Sequence, residues 1–319
     1  MSSSNITIFL TAYGPPGPLN YGVFFVILVL YLATVFSNLT LMLVILFDPS
    51  LHKPMYIFLF NLAIDGLIGS SAVCPKIMQH LLEDMKTISL TNCILQLFFV
   101  HVYGTCAYAI LTVMAYDRYV CICKPLQYHI IMTPTKVRLL LGLMYIFILC
   151  SLAVQGYLNS RLSICKFTIN KLFCVSLAVA NLACVKTALD NLYDLWLLLV
   201  FSVLPPFLVV LSYIKILIVS IKASESAQKK ALNTCVPHLI TFINFSSAIL
   251  SSVVYSSFNY SFSNEVSIFM SIHFILIPPL LNPLIYGIRT QEIKRSIAKI
   301  LKRKVFALDF MRGTQIIHK

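Results

Sequence analysis

Asp117 and Arg118 stand side by side at the end of an uncharged run that reaches back to Lys86. An acid beside a base at the edge of an apolar segment is suited to switching. Paired, the two groups are quiet; parted, the guanidinium is free to take another partner. Asp65 stands inside a second apolar run, where an acid is costly and by default functional, with a polar partner. His101, Gly104, Thr105 and Tyr108 recur at i, i+3, i+4 and i+7, which sets them on one helix face. That face mixes small and polar groups, as a binding wall does. Cys93, Cys165, Cys174 and Cys184 lie near or between apolar runs, and four cysteines allow three pairings. His-Glu-x-x-His, Gly-x-Ser-x-Gly and phosphate-loop patterns do not occur, so no enzyme is expected. The last apolar run has no Lys between Val266 and Ile288, which excludes a retinal Schiff base there.

The elements that must hold these groups are membrane helices. Of 319 residues, 59% are hydrophobic and only 11% charged, against about a quarter charged in soluble domains. Mean hydropathy is +0.88. Such a chain cannot cover a water-facing surface, so its net charge of +13 does not indicate a nucleic-acid-binding domain. Disorder and a small disulfide-stapled domain are excluded on the same ground. A bilayer core takes about 20 apolar residues per helix. The intervals between charged residues give seven spans, at about 21–47, 55–79, 90–116, 139–160, 195–219, 231–257 and 266–288. The expected fold is an all-α membrane protein, a seven-transmembrane helix bundle.

Lys and Arg of short loops set orientation. Residues 1–20 have none, whereas the stretches after spans three and five and the tail from Arg289 are basic. The N-terminal tail, 1–20, is thus expected outside and the tail 289–319 inside. The loop 158–193 opposes this with four basic residues, Arg161, Lys166, Lys171 and Lys186, but long loops weigh less. Its lysines incline the outer face toward anionic or water-borne ligands. Asn5-Ile6-Thr7 is a glycosylation sequon, usable only outside the cytosol. No basic leader region is visible, so span one is expected to act as its own signal-anchor. Beyond span seven, Ile293, Ile297, Ile300 and Leu301 recur at helical spacing among Lys294, Arg295, Lys299, Lys302, Arg303 and Lys304. A short basic amphipathic helix of this kind lies on anionic membrane lipids at the cytoplasmic leaflet.

Around the acid–base pair the sequence reads Met114-Ala115-Tyr116-Asp117-Arg118-Tyr119-Val120-Cys121-Ile122-Cys123-Lys124-Pro125-Leu126. Span two opens Pro54-Met55-Tyr56-Ile57-Phe58-Leu59, and span six opens on Lys230 to Leu239 with Pro237-His238. Span seven ends Asn282-Pro283-Leu284-Ile285-Tyr286. In this order the four strings resemble the odorant receptor family of class A G-protein-coupled receptors. Three places depart from the family pattern. Ala107 stands where Glu is frequent, Phe245-Ser246-Ser247 replaces Phe-Tyr-Gly, and Ser37-Asn38 replaces Gly-Asn.

The resemblance implies the disulfides Cys93–Cys174 and Cys165–Cys184, and an odorant pocket in the outer bundle. His101, Gly104, Thr105 and Tyr108 are joined there by Phe201, Ser246, Ile249, Leu250 and Ile272. It implies a switch of Asp117, Arg118 and Tyr119 with Asn282, Pro283 and Tyr286, acting on a heterotrimeric G protein of the stimulatory, olfactory type. It implies a polar core of Asp65 with Asn38 and Asn282. In the family pattern that core can hold sodium, and Ala107 withdraws an oxygen donor; a sodium site at Asp65 and a purely structural hydrogen-bond network both stand, while no other metal and no cofactor are expected. The site of action implied is the plasma membrane, in cilia of olfactory sensory neurons. Two other readings stand beside it: a non-olfactory class A receptor, against which the strings of spans two, three and six argue, and a transporter. The latter needs a charged pathway, and apart from Lys215 toward the inner end of span five only Asp65 and Lys76 are charges within spans.

Overall fold

The structure, a computed structural model, describes residues 6–13, 17–257 and 264–300. It contains seven helices long and apolar enough to cross a membrane. These are α1 (Pro18–Phe47), α2 (Pro54–Leu82), α3 (Leu90–Cys123), α4 (Pro134–Ser160), α5 (Ala188–Ile221), α6 (Glu225–Ser257) and α7 (Asn264–Arg289). Their outward faces carry large apolar side chains, Phe36 at 74% exposure and Leu143 at 58% among them. In water that pattern would be unstable; against lipid tails it is solvated. An eighth helix, α8, covers 291–300. Ile293 and Ser296 are buried on the bundle while Lys294, Arg295 and Lys299 are exposed, the amphipathic pattern expected. Leu301 to Lys304 and the sequon residue Asn5 lie outside the described residues.

The helices overrun the apolar segments. α3 continues from 116 through Asp117 and Arg118 to Cys123, α4 begins at Pro134, α5 at Ala188 and α6 at Glu225. Backbone hydrogen bonding extends a helix beyond its hydrophobic stretch wherever caps permit. Thr133 caps α4 by accepting from Lys136 N, and Thr187 with Asp190 forms a capping box on α5. The loop expected over 158–193 is correspondingly shorter, running from Arg161 to Thr187.

The N-terminal tail is not wholly irregular. Thr7–Leu10 forms β1, which pairs antiparallel with β2 (Thr87–Ser89) and parallel with β3 (Thr168–Ile169). Ile8 and Leu10 point inward, and the Tyr13 hydroxyl donates to Leu172 O at 2.6 Å. This small sheet caps one end of the bundle, where α1, α3 and α5 begin and α2 and α4 end.

α3 is the central helix and packs on α2, α4, α5 and α6. Its approach to α2 depends on Gly69: a Cβ there would lie 2.7 Å from Cδ2 of the buried Tyr103 ring. Gly66 does the same for α7, where a Cβ would meet Pro279 Cβ at 2.9 Å.

Candidate functional site

Below the sheet, α3, α5, α6 and α7 diverge around a cavity of about 250 Å³. α3 lines it with Leu97, Val100, His101, Gly104, Thr105 and Tyr108. α5 adds Phe201 and Ser202, α6 adds Ile249, Ser252 and Val253, and α7 adds Phe274. Val175, Ser176 and Leu177 of the long loop form a roof. Two disulfides hold that loop. Cys93 and Cys174 are joined with Cα atoms 5.5 Å apart, and Cys165 and Cys184 with Cα atoms 5.0 Å apart. Gln96 Oε1 accepts from Cys174 N at 3.0 Å, fixing the chain just before the roof.

Local sequence explains how α5 reaches the cavity. Pro205 and Pro206 have no amide hydrogen, so the carbonyls of Phe201 and Ser202 lose their i+4 donors. The helix widens into a π turn over Leu199–Val203, which re-aims Phe201 and Ser202 inward. Thr112 Oγ1 on α3 donates to Pro205 O at 3.3 Å and anchors the distortion.

At the opposite end of α3, Asp117 is buried and ion-paired with Arg118; Nε of Arg118 donates to Asp117 Oδ2 at 3.1 Å. Tyr128, in the short helix Tyr128–Ile131, donates from its hydroxyl to Asp117 Oδ1 at 2.8 Å. Burial, with the Asp117 carboxylate beside it, pushes the Tyr128 hydroxyl well above its ordinary range, so it stays a donor. The arginine is thus held in a paired arrangement.

Comparison with known proteins decides the family. A model of the olfactory receptor family matches residues 27–304. Human olfactory receptor 6N1 is 36% identical over 283 residues, covering 88% of this chain and 90% of that protein. Olfactory receptor 1 of Rattus norvegicus is 34% identical over 312 residues, 96% and 99% of the two chains. Mouse olfactory receptor 4E2 is 36% identical over 279 residues, 87% and 89%. The chain belongs to the olfactory receptor family. It is an odorant receptor of the class A G-protein-coupled kind, a multi-pass signalling protein and not an enzyme.

Within this olfactory receptor, the structure brings His101, Gly104, Thr105, Tyr108, Phe201 and Ile249 to one cavity, but not the other three residues expected there. Leu250 is 64% exposed on the outer surface of α6. It follows Ile249 by 100° of helix turn, whereas Ser252 and Val253 return to the Ile249 face. Ile272 packs within the bundle, since Phe274, two residues on, holds the cavity-facing position of α7. Ser246 lies one turn deeper, beside Tyr108.

The polar core also differs from expectation. Asn38 Nδ2 donates to Thr34 O and Pro279 O, at 2.8 and 2.9 Å, and makes no hydrogen bond to Asp65. Both carboxylate oxygens of Asp65, and Oδ1 of Asn38 and of Asn282, are buried without a hydrogen-bond partner among the described residues. Those oxygens are the donor type a monovalent cation takes; Ala107, buried and apolar, adds none. Asn282, Pro283 and Tyr286 are buried on α7.

Several residues take roles that the sequence reading did not assign to them. Phe245, the first residue of the altered Phe-Ser-Ser string, packs edge-on against Tyr108 and Tyr103, with ring centroids 4.9 and 5.8 Å apart. His238, fully buried on α6, donates from Nε2 to Leu111 O at 2.9 Å and accepts from the Tyr213 hydroxyl at 2.7 Å. Gln155 binds the back of His101, and Asp194 in turn binds Gln155. Lys171 Nζ donates to Tyr255 O at 2.7 Å and lies 3.4 Å from the centre of that ring, and burial lowers its ammonium pKa. A polar amide in an apolar span was the one available signal for Gln155.

Proposed function

We propose that a small odorant occupies this cavity from the sheet-capped, extracellular end. Its occupation releases Arg118, at the cytoplasmic end, to a heterotrimeric G protein of the stimulatory, olfactory type. The single observation that carries the proposal is the layout of α3. One rigid helix lines the cavity with His101, Gly104, Thr105 and Tyr108 and ends in the Asp117–Arg118 pair. The scarcity of Lys and Arg before span one, against the basic α8, supports this orientation. The same orientation makes Asn5 a glycosylation site and suits delivery to the ciliary plasma membrane of olfactory neurons.

Coupling runs through packed aromatic rings. A ligand that touches Tyr108 and Phe274 bears on Phe245 of α6, which packs against Tyr108. α6 continues to Pro237 and to His238, whose bonds to Leu111 and Tyr213 hold α6 against α3 and α5. On α7, Pro283 removes a helix hydrogen bond near Asn282 and Tyr286, making that segment deformable. The unpaired oxygens of Asp65, Asn38 and Asn282 supply a polar core that can rearrange between states. The ligand shifts the balance only by its differential affinity for the two states.

The test is whole-cell. In cells expressing the full chain, an odorant panel should yield at least one compound that raises cyclic AMP without accumulating in the cell. Uptake of ligand with no second-messenger response would favour a transporter and contradict the proposal.

A further inference from the structure

The cavity wall holds a hydrogen-bonded chain that the coupling described above does not use. His101 Nδ1 lies 2.7 Å from Gln155 Oε1 on α4. Gln155 Nε2 donates to Asp194 Oδ1 on α5 at 3.2 Å. Asp194 Oδ2 accepts from Lys186 Nζ, of the long loop, at 2.5 Å. The direction of this chain is set from its charged end. Paired with the Lys186 ammonium, Asp194 is a carboxylate and only accepts. The Gln155 atom facing it is therefore the amide nitrogen, and the atom facing His101 is the carbonyl oxygen. A carbonyl oxygen only accepts, so His101 Nδ1 carries the ring proton. In a neutral imidazole Nε2 then holds a lone pair. None of the described hydrogen bonds uses Nε2 of His101, and the side chain lines the cavity.

The other polar groups of the wall are hydroxyls. Thr105 directs its proton to His101 O at 2.7 Å, and Ser176, Ser202 and Ser252 can rotate to donate or accept. His101 is the group with a fixed role. Resting on the proposal that odorants occupy this cavity, we infer that Gln155 and Asp194 lock His101 as a hydrogen-bond acceptor, so that the receptor selects ligands bearing a donor. Alcohols and phenols fit that wall. Aldehydes, ethers and carboxylates of the same shape set a lone pair against a lone pair. Two of the three loop lysines are already engaged, Lys186 by Asp194 and Lys171 by Tyr255, which weakens their pull on an anion.

The probes are octanol against octanal and octanoate, and eugenol against its methyl ether, with cyclic AMP and surface level read on the full receptor. Leaving a buried acceptor unpaired costs about 1–3 kcal/mol. Each alcohol or phenol should therefore be about 5- to 150-fold more potent than its donor-free partner, with octanoate the weakest. Gln155 and Asp194 are positioning residues, and the potency ratio reports on them. Asp194→Asn presents an amide that both donates and accepts, so Gln155 can turn over; the ratio should fall to about one or invert. His101→Phe should abolish it. Variants at 155 and 194 that lower surface level or all potencies together, leaving the ratio intact, would overturn the inference. So would octanal matching octanol, or octanoate exceeding both, on the unaltered receptor. The placement of the ligand is checked separately: responses indifferent to Gly104→Leu would refute the cavity itself, whichever way the ratio falls.

Discussion

Arg118→Ala should abolish G-protein activation and leave ligand binding nearly unchanged. His101 and Arg118 are 17 positions apart on α3, which at 1.5 Å per residue sets them about 25 Å apart. A side chain that distant cannot touch the ligand. In the structure Arg118 is held by Asp117, which Tyr128 also binds. On the proposed mechanism the guanidinium exchanges that partner for one on the G protein, and alanine offers nothing to exchange. Arg118→Lys keeps the charge but loses the planar fork, so a partial response is expected. Cyclic AMP, saturation binding of an active odorant and surface level are measured on the same cells. Binding lost at normal surface level would remove Arg118 from the switch.

The second large effect is on delivery. Cys93→Ser and Cys174→Ser should each leave most of the receptor inside the cell, and the double variant should be no worse. The bond closes a separation of 81 residues, for which chain entropy gives about 4.5 kcal/mol. It also fixes Val175, Ser176 and Leu177 over the cavity, so the surviving fraction should bind ligand weakly. Cys165–Cys184 closes only 19 residues, about 3.2 kcal/mol on the same account, and its loss should be milder. Flow cytometry of surface-labelled receptor ranks the variants. Additive loss in the Cys93–Cys174 double variant would mean that the two cysteines act separately.

The seven helices were legible because lipid imposes a simple demand: about 20 apolar residues with no charge between them. Their ends were not, since Asp117 to Cys123 and Ala188 to Asp194 stay helical for reasons of capping and backbone bonding that hydropathy does not report. The strand Thr7–Leu10 was invisible for another reason. Four residues carry little periodic signal, and its partners lie about 80 and 160 positions away. Of the cavity, the α3 face was readable because its small and polar residues stand out at helical spacing. α6 scatters Thr241, Asn244, Ser246, Ser247, Ser251 and Ser252 around its circumference, so its own pattern does not select a face, and Leu250 was placed inward where Ser252 and Val253 belong. Asp194 read as the charged edge of a span. Its role depends on Gln155, 39 positions away, and on His101, 54 beyond that, and no local pattern announces such a chain.

The central claim is that odorants act from the cavity beside Gly104. A Cβ at that position meets nothing closer than Ile249 Cδ1, at 4.0 Å, so leucine can be added without disturbing the backbone and will take up ligand space. The control is Leu250→Phe, a change on the outer surface of the same region. Dose–response curves for an active odorant, normalised to surface level, compare the two. Gly104→Leu should weaken potency by about 5- to 150-fold, the overpacking cost of about 1–3 kcal/mol, while Leu250→Phe leaves it unchanged. Unaltered potency in Gly104→Leu at normal surface level, or a loss of the same size in Leu250→Phe, would contradict the assignment of this cavity as the odorant site.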